Sequence, residues 1–142
     1  MDVERAVEFV RNNTRAVLTT RRSDGGLQQS PVLATVDEAG RVVVSSGEDR
    51  AKTRNLRRDP HMVLCVFTRR FFGDWVQLEG PAEVLSLPEA EEPLVDYYRR
   101  VAGEHEDWAE YRRAMREERR CLLRMTPRRA AGVIAAEGAQ PA

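Results

Sequence analysis

The sequence predicts a mainly β domain, a small antiparallel barrel of six strands with helices at its periphery. Two observations carry this. Short β-rich runs follow one another through hairpin turns, which pair neighbouring strands antiparallel and argue against a doubly wound parallel sheet. The helical segments sit at the start, at one internal position and near the end, so they flank the strands rather than alternate with them. The 142 residues are the size of one domain. No repeat or linker divides them. The domain is expected over residues 1–127, with 128–142 as a small, polar tail that frays.

The elements follow in order. Val3, Ala6, Val7 and Val10 recur at helical spacing and predict an amphipathic helix over residues 3–11. Arg15 to Thr20 is a strand. Ser23-Asp24-Gly25-Gly26 turns the chain, because glycine accepts positive φ. Leu27 to Val36 returns as a strand, with Pro31 marking an edge or bulge. Asp37 to Gly40 turns again, and Arg41 to Ser46 is a third strand. Asp49 is placed to cap a helix running from Arg50 to Arg58, which Asp59-Pro60 stops. Met62 to Phe67 is continuously apolar and predicts a fully buried strand. Trp75 to Leu87 alternates and bends at Gly80-Pro81. Pro88 with Glu89, Glu91 and Glu92 suits a helix start. Leu94, Val95, Tyr98, Val101 and Ala102 mark that helix's face, and Gly103 breaks it. Trp108, Tyr111 and Met115 mark another helix, and Cys121 to Met125 is the last strand.

Composition removes several function classes. The 23 basic and 23 acidic residues cancel, so charge offers no argument for nucleic acid or a membrane surface. The longest apolar run, Met62 to Phe67, is far short of the ~20 residues that span a bilayer. The N-terminus carries both charge signs and no apolar signal core, and a cytoplasmic protein is expected. Cys65 and Cys121 are read as buried free thiols. Signatures of nucleophilic hydrolases, P-loops, dinucleotide folds and zinc proteases are absent. His61 and His105 lack partners at local spacing, so no metal site and no histidine triad are expected, and no catalytic residue is assigned.

The strongest local feature is Arg50 to Pro60. It follows a strand, opens a helix and includes Lys52, the single lysine among the 23 basic residues. Backbone N–H groups and the dipole at a helix start favour phosphate, and Arg50 and Lys52 add charged donors. A solvated basic helix is the other reading. Gln28 and Ser30 share one strand face, where a hydrogen-bonding heterocycle, water or open solvent would satisfy them. Ser45 and Ser46 end the third strand beside the same helix. Trp75 points opposite to Val76 and Leu78, towards an interface or a ring-shaped ligand.

Together, Val17-Leu18-Thr19-Thr20, Asp24-Gly25, Gln28 to Val32, Arg50 to Pro60, Trp75 to Gly80, Ala102 to Trp108 and Arg119-Arg120 resemble the pyridoxamine 5'-phosphate oxidase-like split β-barrel proteins. More narrowly, they are similar to the branch using deazaflavin, coenzyme F420. The resemblance implies a six-stranded split barrel and a homodimer with cofactor at the subunit interface. It implies hydride transfer between reduced coenzyme F420 and an electron-poor small molecule, with FMN as the alternative cofactor. Arg50, Lys52 and Asn55 would then hold the cofactor phosphate, with Ala51 and Thr53 between them. Gln28, Ser30, Pro31, Val32, Ser45 and Trp75 would line the ring, and Arg54 or Arg58 an acidic tail. A non-catalytic cofactor- or heme-binding role on the same barrel is the remaining alternative.

Overall fold

The computed structural model describes residues 1–135, which form seven strands and four helices. In chain order these are α1 (Val3–Asn12), β1 (Arg15–Arg21), β2 (Leu27–Val36), β3 (Val42–Gly47), α2 (Ala51–Arg58), β4 (His61–Phe67), β5 (Trp75–Ser86), α3 (Glu91–Ala102), α4 (Trp108–Glu117), β6 (Arg120–Met125) and β7 (Arg129–Val133). The strands run β4-β1-β2-β3-β6-β5, all pairs antiparallel, and β5 pairs back onto β4 to close a six-stranded barrel. No described helix is long and apolar enough to cross a membrane.

Strand β5 makes closure possible by serving two neighbours. Residues 75–81 pair with β4, and 82–86 pair with β6. The switch falls at Gly80-Pro81, where the sequence places its bend. A Cβ on Gly80 would stand 1.9 Å from the Thr126 carbonyl oxygen, so only glycine lets the backbones approach this closely.

Period-two alternation sends Ala16, Leu18, Met62, Leu64, Val66, Val76 and Leu78 into the barrel, each at most 2% exposed. Full burial of one such Leu or Val contributes about 1.5–3 kcal/mol. Helix α1 packs Ala6, Phe9 and Val10 onto this core. A second core lies outside the barrel. There Val43 of β3 and Leu122 of β6 meet Ala90, Leu94, Val95, Tyr97, Tyr111 and Met115 from the α3–α4 region. Strands β3 and β6 are therefore covered on both faces, which explains their unbroken apolar runs Val42–Val44 and Cys121–Leu123.

Four differences from the sequence reading have physical causes. Met62 to Phe67 is as apolar as β3, yet only Met62, Leu64 and Val66 are buried. Val63, Cys65 and Phe67 are half-exposed, because the outer face of β4 is only partly covered, Phe71 lying edge-on against Phe67 at 5.5 Å. Cys65 is accordingly half-buried and only Cys121 is buried. Asp49 does not cap α2. Arg50 is the N-cap and makes no side-chain cap bond. Residues after Pro127 do not all leave the domain, because β7 pairs with β5, opposite Trp75 to Glu79. The rest of the expected tail, 136–142, lies outside the described residues.

Candidate functional site

Helix α2 follows β3 through the turn Glu48–Arg50, and its inward residues fasten it to the barrel. Thr53, fully buried, donates its hydroxyl to the Gly47 carbonyl at 2.7 Å, and its Oγ1 lies 2.8 Å from Ser46 Oγ. Asn55 donates through Nδ2 to Thr20 Oγ1 at 3.1 Å and accepts from Arg58 Nη2 at 2.9 Å. Arg58 also donates to the Arg21 carbonyl at 2.8 Å. With Thr53 and Asn55 turned inward, Arg50 and Lys52 are left at the opposite edge of the helix start.

That edge borders a cavity of about 400 Å³. Of the residues read from sequence, Pro31, Val32, Ser45, Arg50 and Lys52 line it, and Ser46, Leu33, Tyr97 and Arg120 complete it. Arg120 reaches the cavity because β6 pairs with β3 in a register that sets Arg120 opposite Gly47. Its Nη2 donates to Ser45 Oγ at 2.8 Å, while its Nε is buried with no hydrogen-bond partner among the described residues. Tyr97 donates its hydroxyl to the Leu33 carbonyl at 2.7 Å, tying α3 to the cavity wall. Arg50 and Arg120 also line an adjoining cavity with Gly47, Asp49 and Glu118.

The cavity is electropositive. Among the described residues, Arg50, Lys52 and Arg120 make no ion pair. Burial pushes the Lys52 ammonium below its ordinary value, and repulsion from Arg50 and Arg120 pushes it further. Three cations thus share a recess whose lining holds no carboxylate, an arrangement that suits an anion. Burial also raises the Tyr97 phenol, which stays protonated at neutral pH.

The other sequence-predicted residues lie elsewhere. Gln28 stands near the β1–β2 hairpin, its Oε1 within 3.4 Å of Thr20 Oγ1. Ser30 is two residues from Val32 on the same strand face, and its buried hydroxyl has no hydrogen-bond partner among the described residues. Ala51 and Arg58 are exposed on α2. Trp75 lies on the outer sheet face opposite Phe67 and Val133, three strands from β2, about 14 Å at ordinary strand spacing. The histidines are outside the cavity. His61 Nε2 lies 2.9 Å from Glu79 Oε2, and His105 Nδ1 accepts from the Asp107 amide at 2.8 Å. Among the described residues, no group of three or more His, Cys, Asp or Glu could hold a metal ion.

Sequence reasoning missed Arg120 and Tyr97 as site residues. Arg120 reads as one half of an Arg-Arg pair before a strand, and only the β3–β6 register reveals its target. Tyr97 adjoins Tyr98, which has the helical spacing of a core residue. In the fold Tyr97 is the buried one and Tyr98 is half-exposed within an aromatic cluster with His105, Trp108 and Tyr111.

Comparison with known proteins agrees with this architecture. A conserved hypothetical protein of Mycobacterium tuberculosis superposes with a TM-score of 0.74 at 21% identity, covering 98% of this chain and 95% of that one. A structure described as an F420 reductase gives a TM-score of 0.68 at 16% identity, over 87% of this chain and 94% of that one. A putative pyridoxamine 5'-phosphate oxidase from Listeria innocua gives 0.66 at 15% identity, over 92% and 96%. At these identities the likeness speaks for the fold. The sequence itself speaks for the family, since the model described as pyridoxamine 5'-phosphate oxidase matches residues 3–134. This chain belongs to the pyridoxamine 5'-phosphate oxidase family, flavin-binding oxidoreductases built on the split barrel.

Proposed function

We propose that this protein is a deazaflavin-dependent oxidoreductase that works as a homodimer and moves a hydride between reduced coenzyme F420 and an electron-poor small molecule. The observation that carries the reading is the convergence of Arg50, Lys52 and Arg120, none of them ion-paired among the described residues, on one cavity at the start of α2. The residues present fit a phosphorylated cofactor. Three cations face a recess with no carboxylate in its lining, and the buried Arg120 Nε lacks an acceptor.

When bound, the deazaflavin supplies the hydride chemistry, and the protein supplies binding and orientation. Arg50, Lys52 and Arg120 hold the phosphate. Ser45 fixes the Arg120 guanidinium through the 2.8 Å bond, so that its remaining donors face the recess. Pro31, Val32 and Leu33 give the cavity an apolar wall for the ring. Arg116, Arg119 and Glu48 line a further cavity that shares Arg120; Arg116 pairs there with Glu91 at 2.9 Å, and Arg119, which makes no ion pair among the described residues, is the charge beyond one phosphate that favours the polyanionic deazaflavin over FMN. FMN remains the second reading, since both cofactors carry the phosphate.

The uncovered sheet face supports the homodimer reading. Val63, Cys65 and Phe67 form half of a strand whose apolar run matches those buried on both sides, and Leu33 and Trp75 stand exposed on the same face at 47% and 38%. A second copy of this chain supplies the cover, and the cofactor cavity opens beside that face at Pro31 and Leu33. Titration with oxidised coenzyme F420 and, separately, FMN, followed by tryptophan fluorescence, tests the function. Tighter binding of the deazaflavin is the expected result, and binding of neither refutes the proposal.

A further inference from the structure

Strand β2 changes neighbours partway along its length. Residues 27–33 pair with β1, and 34–36 pair with β3. Continuing the β2–β3 register would set Leu33 opposite Ser45, yet that rung is absent and β3 runs on beside β6 alone. The cavity that holds Arg50, Lys52 and Arg120 opens at this parting, with Leu33 on one side and Ser45 on the other. Backbone polar groups alternate in direction along a strand. The Ala34 N–H donates to the Thr14 carbonyl, on the β1 side, so the Leu33 carbonyl points towards β3. It is the acceptor that the missing rung would have used.

Tyr97 takes the place of that rung. Its hydroxyl donates to the Leu33 carbonyl at 2.7 Å, and the residue is 8% exposed. The Ser45 backbone N–H acts on the same phenol oxygen from the β3 side: burial raises the Tyr97 phenol, and that amide opposes the rise. One hydroxyl thus stands between the two groups that would otherwise bond each other. The next rung is closed off as well. Pro31 has no N–H to give, and the Gly47 carbonyl that it would face already accepts from the Thr53 hydroxyl at 2.7 Å and the Arg50 N–H at 3.2 Å.

We propose that Tyr97 is a positioning residue, a wedge whose hydroxyl keeps β2 and β3 apart and so holds the anion recess open. What the recess takes rests on the cofactor reading. Were the strands to zip, Leu33 and Ser45 would face each other as a cross-strand pair, with Cβ atoms about 4.5–5.5 Å apart. The Leu33 side chain would then lie beside Ser45 Oγ, which accepts from Arg120 Nη2 at 2.8 Å, and would fill the space that the remaining Arg120 donors face. Tyr97 in this role decides whether the cofactor phosphate enters without having to touch it.

The test replaces Tyr97 with phenylalanine, which keeps the ring in its apolar bed and removes the bridging hydroxyl. In the free full chain, Y97F is expected to show a nuclear Overhauser contact between the Leu33 and Ser45 amide protons that the wild type lacks. It should melt within about 4 °C of wild type, because a direct rung replaces the bridged one. Affinity for FMN and coenzyme F420 should fall about tenfold while that for riboflavin stays within about threefold, because the phosphate recess closes and the ring's wall remains. Y97L, which takes away the ring as well, should go further in the same direction. An unchanged FMN-to-riboflavin ratio in both variants overturns the proposal. A fallen ratio without the new amide contact also overturns it, by making the hydroxyl a direct ligand of the phosphate, and so does a loss of stability alone, by making Tyr97 a structural tie. A wild type that binds neither FMN nor coenzyme F420, beside an amide contact that appears only in the variants, would sink the cofactor reading and leave the wedge standing.

Discussion

Replacing Lys52 with methionine separates binding from folding, because the structure gives the two effects opposite signs. Lys52 sits half-buried with Arg50 and Arg120 around one cavity, and burial and their charges lower its proton affinity. A lysine whose folded value lies below its unfolded one holds its proton less readily when folded. The charged form therefore weakens the ligand-free fold. That penalty is full below the lowered folded value and disappears as pH rises to the ordinary lysine value of 10.5. Methionine keeps the stem and removes the charge. At pH 7 the free K52M chain is expected to melt at the same temperature as wild type or higher, with any gain vanishing towards pH 10.5. Phosphate binding moves the other way. A charge-assisted hydrogen bond contributes about 1.5–3 kcal/mol, so cofactor affinity should fall by roughly 10- to 150-fold. Thermal melts of the free chain and fluorescence titration of the cofactor give both numbers from one preparation. A variant that loses stability and keeps its affinity would refute the reasoning, since Lys52 would then be a structural cation.

Three further outcomes test other parts of the account. G80A should lower stability by about 3 kcal/mol in a denaturant titration, because its Cβ would drive Thr126 away and break the bonds joining 126 and 128 to Pro81 and Glu79. N55A should cost about 1–3 kcal/mol by the same measurement, since it strips Thr20 and Arg58 of a buried partner. V17E places a carboxylate at the centre of the uncovered face, between Pro31 and Cys65, and should convert a dimer to a monomer by sedimentation velocity while leaving the barrel folded.

Local chemistry made most of the barrel legible. Turn glycines, the strand alternation and the Gly80-Pro81 bend each act within a few residues, and the strands fall where those signals place them. Strand β7 was missed because Arg129–Val133 is short, small and glycine-containing, and is held by pairing with Trp75–Glu79 fifty residues earlier. The exposure of β4 could not be read either. Its apolar run records that both faces favour burial, and a single chain covers one. At the site, Arg50 and Lys52 were visible because charge at a helix start is a local signal. Arg120 and Tyr97 were not, because each reaches the cavity through a register or helix packing set far away in sequence. Thr53 and Asn55 belong to the same string as Lys52, but helix geometry turns them inward, where they anchor α2.

The central claim is that three cations at the start of α2 hold a cofactor phosphate. The most direct measurement is a pair of titrations at matched salt, one with coenzyme F420 and one with the same deazaflavin lacking its phosphate and tail, each repeated with FMN and riboflavin. The account predicts that the phosphorylated member of each pair binds about 100-fold more tightly or better, and that R120Q erases most of the difference. Equal affinity within both pairs would contradict it, because the ring alone would then account for binding and the cationic cavity would serve something else.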